Sequence, residues 1–77
     1  MTYEEMLPLF DGNNPVLFAS GKAGFLIRLT PEENGCGVQI PGEKDMRWLD
    51  HKVFVHGAAG VFAVAPSPHL LRVLRGR

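Results

Sequence analysis

The chain has 77 residues, of which 45% are hydrophobic and 21% are charged, and its formal net charge is zero. This composition excludes the low-hydrophobicity, high-charge pattern of a disordered chain, and zero net charge argues against a general electrostatic attraction to nucleic acid. We expect a single domain over residues 1–77 with a thin stability margin, because a chain this short buries only about 60 to 65% of the surface that it exposes when unfolded.

The charges are divided unevenly along the chain. All eight Asp and Glu residues lie at or before Asp50 together with four basic residues, which makes that portion net −4. The remainder is net +4 and holds Lys52, Arg72, Arg75 and Arg77. Opposite charges of this kind favour attraction within one fold or between two copies of it.

The single cysteine, Cys36, excludes an internal disulfide and favours a reducing compartment. The N-terminal stretch is acidic and does not show the basic and then apolar pattern of a secretory signal. No apolar run approaches the roughly 18 residues that a membrane span needs. We therefore expect a soluble, cytoplasmic protein with no membrane partner.

The first element is a short helix that begins after Thr2. Thr2 and Glu5 have the spacing of a capping box, in which each side chain accepts a hydrogen bond from the other residue's amide. Pro8 limits the helix to one or two turns, because it has no amide proton and clashes with the preceding turn. The turn-forming residues at positions 11–15 then reverse the chain.

Three short strands are predicted next, at residues 16–20, 25–30 and 36–40. Alternation in the second strand places Phe25, Ile27 and Leu29 on one face and Leu26, Arg28 and Thr30 on the other. For residues 43–50 we favour a short helical turn that lays Trp48 over an open end of the sheet. Extension of these residues into the following strand is the alternative.

Residues 52–66 have the pattern of a β-hairpin closed by a turn from Gly57 to Gly60. If His56 pairs with Val61, one face carries Phe54, His56, Val61, Ala63 and Ala65, and the other carries Val53, Val55, Phe62 and Val64. Neither face is polar. Such a hairpin must be covered on both sides, either by the rest of the chain or by a second copy.

The last predicted element is a short C-terminal helix. Ser67 followed by Pro68 is typical of a helix start, and Gly76 suits its end. The complete prediction is an α+β, β-rich fold with about five short antiparallel strands in a small bent sheet or barrel, SH3-like or OB-like in size, and a short helix at each end.

We predict no catalytic residue, cofactor or metal site. His51 and His56 differ by an odd number of positions, so on one continuous strand they would point to opposite faces. Cys36 lies between two glycines, where a small residue at a strand start is sufficient explanation.

The sequence favours a non-enzymatic interaction module that forms a homo-oligomer and presents a surface to a protein or a small ligand. No charged residue occurs from Val53 to Leu71, a stretch of 19 residues that one tiny core can hardly bury. The candidate ligand or interface residues are Phe54, His56, Phe62 and Trp48.

Two alternatives remain. A small nucleic-acid-binding barrel would use the basic C-terminal helix. Its main cations would be Lys52, Arg72, Arg75 and Arg77, with Lys22 and Arg28 as additional cations, and aromatic side chains, Trp48 among them, would stack on bases. A small enzyme would build its active site at a junction between subunits.

Overall fold

The computed structural model describes residues 1–57 and 60–64. In these residues one short α-helix precedes a single six-stranded sheet. The elements are α1 (Tyr3–Met6), a 3₁₀ turn (Leu7–Leu9), β1 (Asn14–Phe18), β2 (Ala23–Leu29), β3 (Cys36–Gln39), β4 (Arg47–Leu49), a second 3₁₀ turn (His51–Val53), β5 (Phe54–His56) and β6 (Phe62–Val64).

Helix α1 confirms the predicted capping box. The amide of Glu5 donates to Thr2 Oγ1 over 3.1 Å, and the amide of Thr2 donates to Glu5 Oε1 over 2.8 Å. The α-helix ends at Met6, and Pro8 lies in the 3₁₀ turn that follows. The short N-terminal helix is thus explained by residues within one turn of each other.

The sheet has the strand order β4-β3-β2-β1-β6-β5. The prediction of a small, bent, β-rich fold is confirmed, but the prediction of about five strands, all antiparallel, is wrong in two respects. Strands β1 and β6 run parallel. The sixth strand is β4, where we favoured a helical turn; it forms because Trp48 and its neighbours pair with β3, with Leu49 opposite Cys36.

The two edge strands, β4 and β5, are joined by residues 50–53 alone. A flat six-stranded sheet would separate its edges by about 24 Å, whereas so short a connection spans at most about 17 Å. The sheet must therefore curl into a half-barrel, and the core lies on its concave side. The core residues, each at most 5% exposed, are Met6, Val16, Leu26, Cys36, Val38, Ile40, Phe54 and Phe62.

A β-bulge in β2 changes which residues face this core. Leu26 pairs with Val38 and Arg28 pairs with Gly37, so that Ile27 is an extra residue between them. The predicted alternation is wrong beyond that point, because the extra residue moves Leu29 onto the core side with Leu26.

The β5–β6 hairpin forms where it was predicted, but its register is shifted by one residue. The amide of Gly57 donates to Val61 O over 2.9 Å, and His56 lies opposite Phe62 rather than Val61. Phe54 and Phe62, which we placed on opposite faces, therefore pack edge to face in the core with ring centroids 6.1 Å apart. The predicted assignment of faces was wrong because strand side chains alternate, and a shift of one position transfers the whole of β6 to the other face.

The predicted C-terminal helix, from Ser67 to Gly76, lies outside the described residues. Among the described helices, none is long and apolar enough to cross a bilayer.

Candidate functional site

The convex side of the sheet carries an uncharged surface across four neighbouring strands. Its residues face away from the core because their sequence neighbours on β1, β2, β5 and β6 are buried. We call this surface the outer patch, and it consists of Pro15, Leu17, Ala23, Phe25, Val55 and Ala63. Apolar side chains occupy all six positions.

Strand register aligns four of these residues in one row. Ala23 lies opposite Leu17, Leu17 opposite Ala63, and Ala63 opposite Val55. Leu17, in the middle of the row, is 53% exposed, and Phe25 is 38% exposed. The outer patch is therefore a continuous apolar surface with a large, accessible side chain near its centre.

A second part of the convex side is organised around Gly37 of β3. Trp48 lies opposite Gly37 on β4, and Arg28 lies opposite it on β2. A methyl group at Gly37 would lie 3.0 Å from Arg28 Cβ and 3.2 Å from Trp48 Cη2, and it would overlap Met46 Sδ. The absence of a side chain at Gly37 thus leaves room for the indole of Trp48 to pack over β3. We call Trp48, Met46, Gly37 and Arg28 the Trp48 platform.

One end of the half-barrel holds a charged network centred on Glu43. Its carboxylate accepts hydrogen bonds from Arg47 Nη2 over 2.7 Å and Arg47 Nε over 3.0 Å, and it forms a longer ion pair with Lys22 at 3.4 Å. The hydrogen bonds from Arg47 lower the pKa of Glu43. The Arg47 guanidinium also lies 5.5 Å from the centre of the Phe18 ring. The charges of this network are paired with one another inside the protein, which indicates a structural role.

At another part of the surface, α1 and two loops enclose a groove of about 550 Å³. His51 Nε2 donates to the carbonyl of Thr30 over 2.7 Å, and Tyr3 packs against the imidazole edge to face. The acidic side chains that line the groove are Glu4, Glu32, Glu33 and Asp50. Within the described part of the chain, no group of three or more His, Cys, Asp or Glu side chains is arranged to hold a metal ion.

Cys36 has no exposed surface. Burial, with a smaller contribution from the charge of Asp50, raises the pKa of its thiol to about 11. A thiol with this pKa is almost entirely protonated at neutral pH, and the protonated form is a poor nucleophile.

The structure separates the four predicted interface residues. Phe54 and Phe62 are fully buried core residues, whereas Trp48 is 51% exposed on the convex side. His56 is exposed at the end of β5. No common site unites the four side chains, and only Trp48 belongs to one of the two convex surfaces defined above.

Of the four main cations in the nucleic-acid alternative, Lys52 is exposed in the 3₁₀ turn before β5. Arg72, Arg75 and Arg77 lie outside the described residues.

Sequence reasoning overlooked Leu17 as a candidate site residue, and it included Arg28 only as an additional cation of the nucleic-acid alternative. Both lie in predicted strands, and the alternation of β1 could have indicated that Leu17 faces away from Val16. The position of Arg28 on the convex side could not be predicted, because it depends on the bulge at Ile27, which no residue pattern indicates.

Comparison with protein-family models, with curated proteins and with solved structures gives no match to this chain. The candidate function therefore depends on the geometry of the chain itself.

Proposed function

We propose that this protein is a non-enzymatic interaction module that self-associates through the outer patch and presents the remaining surface to a protein or a small ligand. The observation that supports this proposal is the row Ala23, Leu17, Ala63 and Val55, which crosses four strands without a charged or polar side chain.

Burial of such a row is favourable, since it removes apolar surface from water at about 25 cal/mol per Å². Leu17 and Phe25 contribute most to this gain because they are the large, accessible members of the patch. Contiguous exposed apolar surface on a small protein is typical of an interaction site. A partner that covers the row would therefore gain binding energy from the hydrophobic effect.

A second copy of the chain is the partner that we propose, because the patch is uncharged and the formal net charge of the chain is zero. Two copies packed patch to patch bury no charged side chain of the patch, so the contact carries no desolvation cost from an unpaired charge there. A two-fold axis near Leu17 would bring the same residues of both copies into contact, as expected of a symmetric dimer. Face-to-face sheets pack about 10 Å apart, a distance that side chains of this size fill.

Sedimentation equilibrium over a range from micromolar to hundreds of micromolar protein tests this proposal. We expect a mass that rises toward twice 8.5 kDa as concentration increases. In Leu17→Lys the mass should stay near 8.5 kDa, because association would bury two ammonium groups.

Leu7→Lys is the matched control. Leu7 is 48% exposed, close to the 53% of Leu17, but it lies in the first 3₁₀ turn and not on the outer patch. The same substitution there should leave self-association unchanged. A wild-type mass of 8.5 kDa at every concentration, or equal behaviour of the two variants, would contradict the proposal.

Two further features belong to this proposal. The architecture is that of a small barrel of SH3-like or OB-like size, which the short connection between β4 and β5 supports. The location is cytoplasmic, which is supported by a single, buried thiol, because reducing compartments keep such thiols free.

A further inference from the structure

We propose that the Trp48 platform binds a nucleotide unit, with the base stacked on the indole of Trp48 and the phosphate paired with the guanidinium of Arg28. This site lies on β2, β3 and β4, beside the outer patch, and it does not depend on self-association. It also differs from the nucleic-acid alternative of the sequence, which placed its main cations at Lys52 and on the C-terminal helix and did not bring Arg28 and Trp48 together at one site.

The first argument is the position of the indole. Trp48 is 51% exposed although its ring reaches over Gly37 on the neighbouring strand. Part of the indole is therefore covered by the sheet, while the rest is open to solvent. Aromatic side chains held on a sheet surface in this way are the usual stacking partners of unpaired bases, since every base has a π-face.

The second argument is the unpaired charge of Arg28. In the described part of the chain its guanidinium makes one hydrogen bond, from Nη1 to the carbonyl of Ile27 over 3.1 Å, and no ion pair. All eight Asp and Glu residues lie among the described residues, and residues 58–59 and 65–77 contain none. No side-chain carboxylate of the chain therefore neutralises this guanidinium, which is free to bind an anion in bidentate fashion.

The third argument is that the two side chains approach each other above Gly37. Arg28 Cβ and Trp48 Cη2 lie 3.0 Å and 3.2 Å from the same point above Gly37. The base and the phosphate of a nucleotide are separated only by the sugar, so a base on the indole brings its phosphate to the Arg28 side chain. A phosphate matches the charge of Arg28, whereas an uncharged aromatic ligand would leave the guanidinium unused.

Intrinsic fluorescence tests the proposal directly, because Trp48 is the only tryptophan in the chain. Octathymidylate and adenosine monophosphate should be titrated separately at low salt. We expect quenching of Trp48 emission by both if a free nucleotide suffices, and by octathymidylate alone if the site needs a strand. Either result supports the site and distinguishes the two sources of the same chemistry.

The variant that isolates the phosphate contact is Arg28→Ala, and its matched control is Lys52→Ala, which also removes one exposed positive charge. Arg28→Ala should weaken binding by at least about tenfold, because loss of even one hydrogen bond to a charged group has an effect of this size. It should also reduce the slope of log affinity against log salt by about 0.7, the value for one phosphate contact on a single strand. Lys52→Ala should change the affinity less than twofold.

Several results would overturn the proposal. These are an absence of quenching by millimolar ligand, unchanged affinity in Arg28→Ala, or a larger loss in Lys52→Ala, Arg72→Ala or Arg75→Ala than in Arg28→Ala. Equal quenching by polyglutamate would also overturn the proposal, because it would show that the platform binds acidic polypeptides. Repeating the titration in Leu17→Lys separates this test from that of self-association, since the platform is intact in that variant.

Discussion

The side-chain amide of Asn14, at the start of β1, donates to the carbonyl of Gly60 in the turn before β6 over 3.1 Å. The same nitrogen donates to Leu9 O over 3.0 Å, and Oδ1 accepts from the amide of Asp11 over 2.9 Å. Asn14 is fully buried. One polar side chain thus joins the segment of residues 9–14 to the turn before β6, next to the point where the parallel pair of β1 and β6 begins.

Asn14→Ala should lower the free energy of unfolding by about 1 to 3 kcal/mol, because it leaves buried backbone groups without hydrogen-bond partners. Urea denaturation followed by circular dichroism measures this change. Asn13→Ala is the control, since Asn13 is exposed and its side chain makes no hydrogen bond in the described part of the chain. Equal stability losses in the two variants would show that the buried amide does not hold β1 to β6.

Two buried glycines should respond differently to alanine. At Gly35 a new methyl group would lie 2.6 Å from Glu32 O and 2.7 Å from Thr30 O, which are backbone atoms that cannot move separately from the loop. At Gly37 the only overlap is with Met46 Sδ, near the far end of a flexible side chain that can turn aside, while Arg28 Cβ at 3.0 Å and Trp48 Cη2 at 3.2 Å need to give by only a few tenths of an ångström. Overpacking costs about 1 to 3 kcal/mol, so we expect Gly35→Ala at the upper end or beyond and Gly37→Ala at the lower end.

The same pair of variants offers an optical check. Only Gly37→Ala should shift the emission maximum of the native protein, because only that substitution displaces Trp48. A shift of similar size in Gly35→Ala, or a greater stability loss in Gly37→Ala, would contradict the packing described for β3 and β4.

The edge-to-face pair of Phe54 and Phe62 should be essential to folding. Phe62→Ala removes a fully buried ring, and such changes cost about 3 to 5 kcal/mol. That loss is comparable to the whole stability expected of a single small core, about 3 to 5 kcal/mol. We expect the far-ultraviolet spectrum of Phe62→Ala to be that of an unfolded chain, while Phe62→Leu keeps the fold with reduced stability.

Phe25→Ala provides the comparison, because Phe25 is 38% exposed on the outer patch. In dilute solution this variant should retain most of the wild-type stability. If Phe25→Ala unfolded the protein and Phe62→Ala did not, the assignment of inner and outer faces would be reversed.

The buried thiol predicts a stability change at alkaline pH. The pKa of Cys36 rises from 9.0 in the unfolded chain to about 11 in the fold, so above pH 9.0 the unfolded state releases a proton that the folded state retains. The free energy of unfolding should therefore decrease as pH rises from about 9 to about 11, by about 2 to 3 kcal/mol in total.

Cys36→Ala should lack this part of the decrease, although it retains the contributions of lysine and tyrosine. Urea denaturation at several alkaline pH values measures the difference in slope between the two proteins. A thiol-reactive disulfide reagent should in addition label native Cys36 far more slowly at pH 8 than it labels the denatured chain. Identical slopes or rapid native labelling would show that the thiol is accessible.

The local elements could be predicted because their causes lie within a few residues. The capping box of Thr2 and Glu5 closes over a single helical turn, and the hairpin around Gly57 and Gly60 joins strands that are neighbours in the chain. The β-rich character and the bend of the fold also followed from short apolar runs separated by turn formers. The stability of these features depends on contacts between residues that are close in the sequence.

The assignment of faces could not be predicted, because it depends on register. A single bulged residue at Ile27 and a shift of one position between His56 and Phe62 each transfer side chains from one face of the sheet to the other. Neither change alters the tendency of the residues concerned to form a strand. The shift places Val55 and Ala63 together on the outer patch and brings Phe54 and Phe62 together in the core, whereas the bulge moves Arg28 to the convex side. The register therefore explains why Phe54 and Phe62 were not predicted to pack against each other.

The sequence by itself determined that this chain forms short strands with one capped helix, since backbone propensities and caps act over a few residues. Only the tertiary structure decided that residues 47–49 form a strand, that β1 pairs in parallel with β6, and that Arg28 and Trp48 meet across Gly37. The physical reason is that strand pairing joins residues distant along the chain. The pairing that forms is the one that buries the most apolar surface and also gives hydrogen-bond partners to buried polar groups such as the side chain of Asn14.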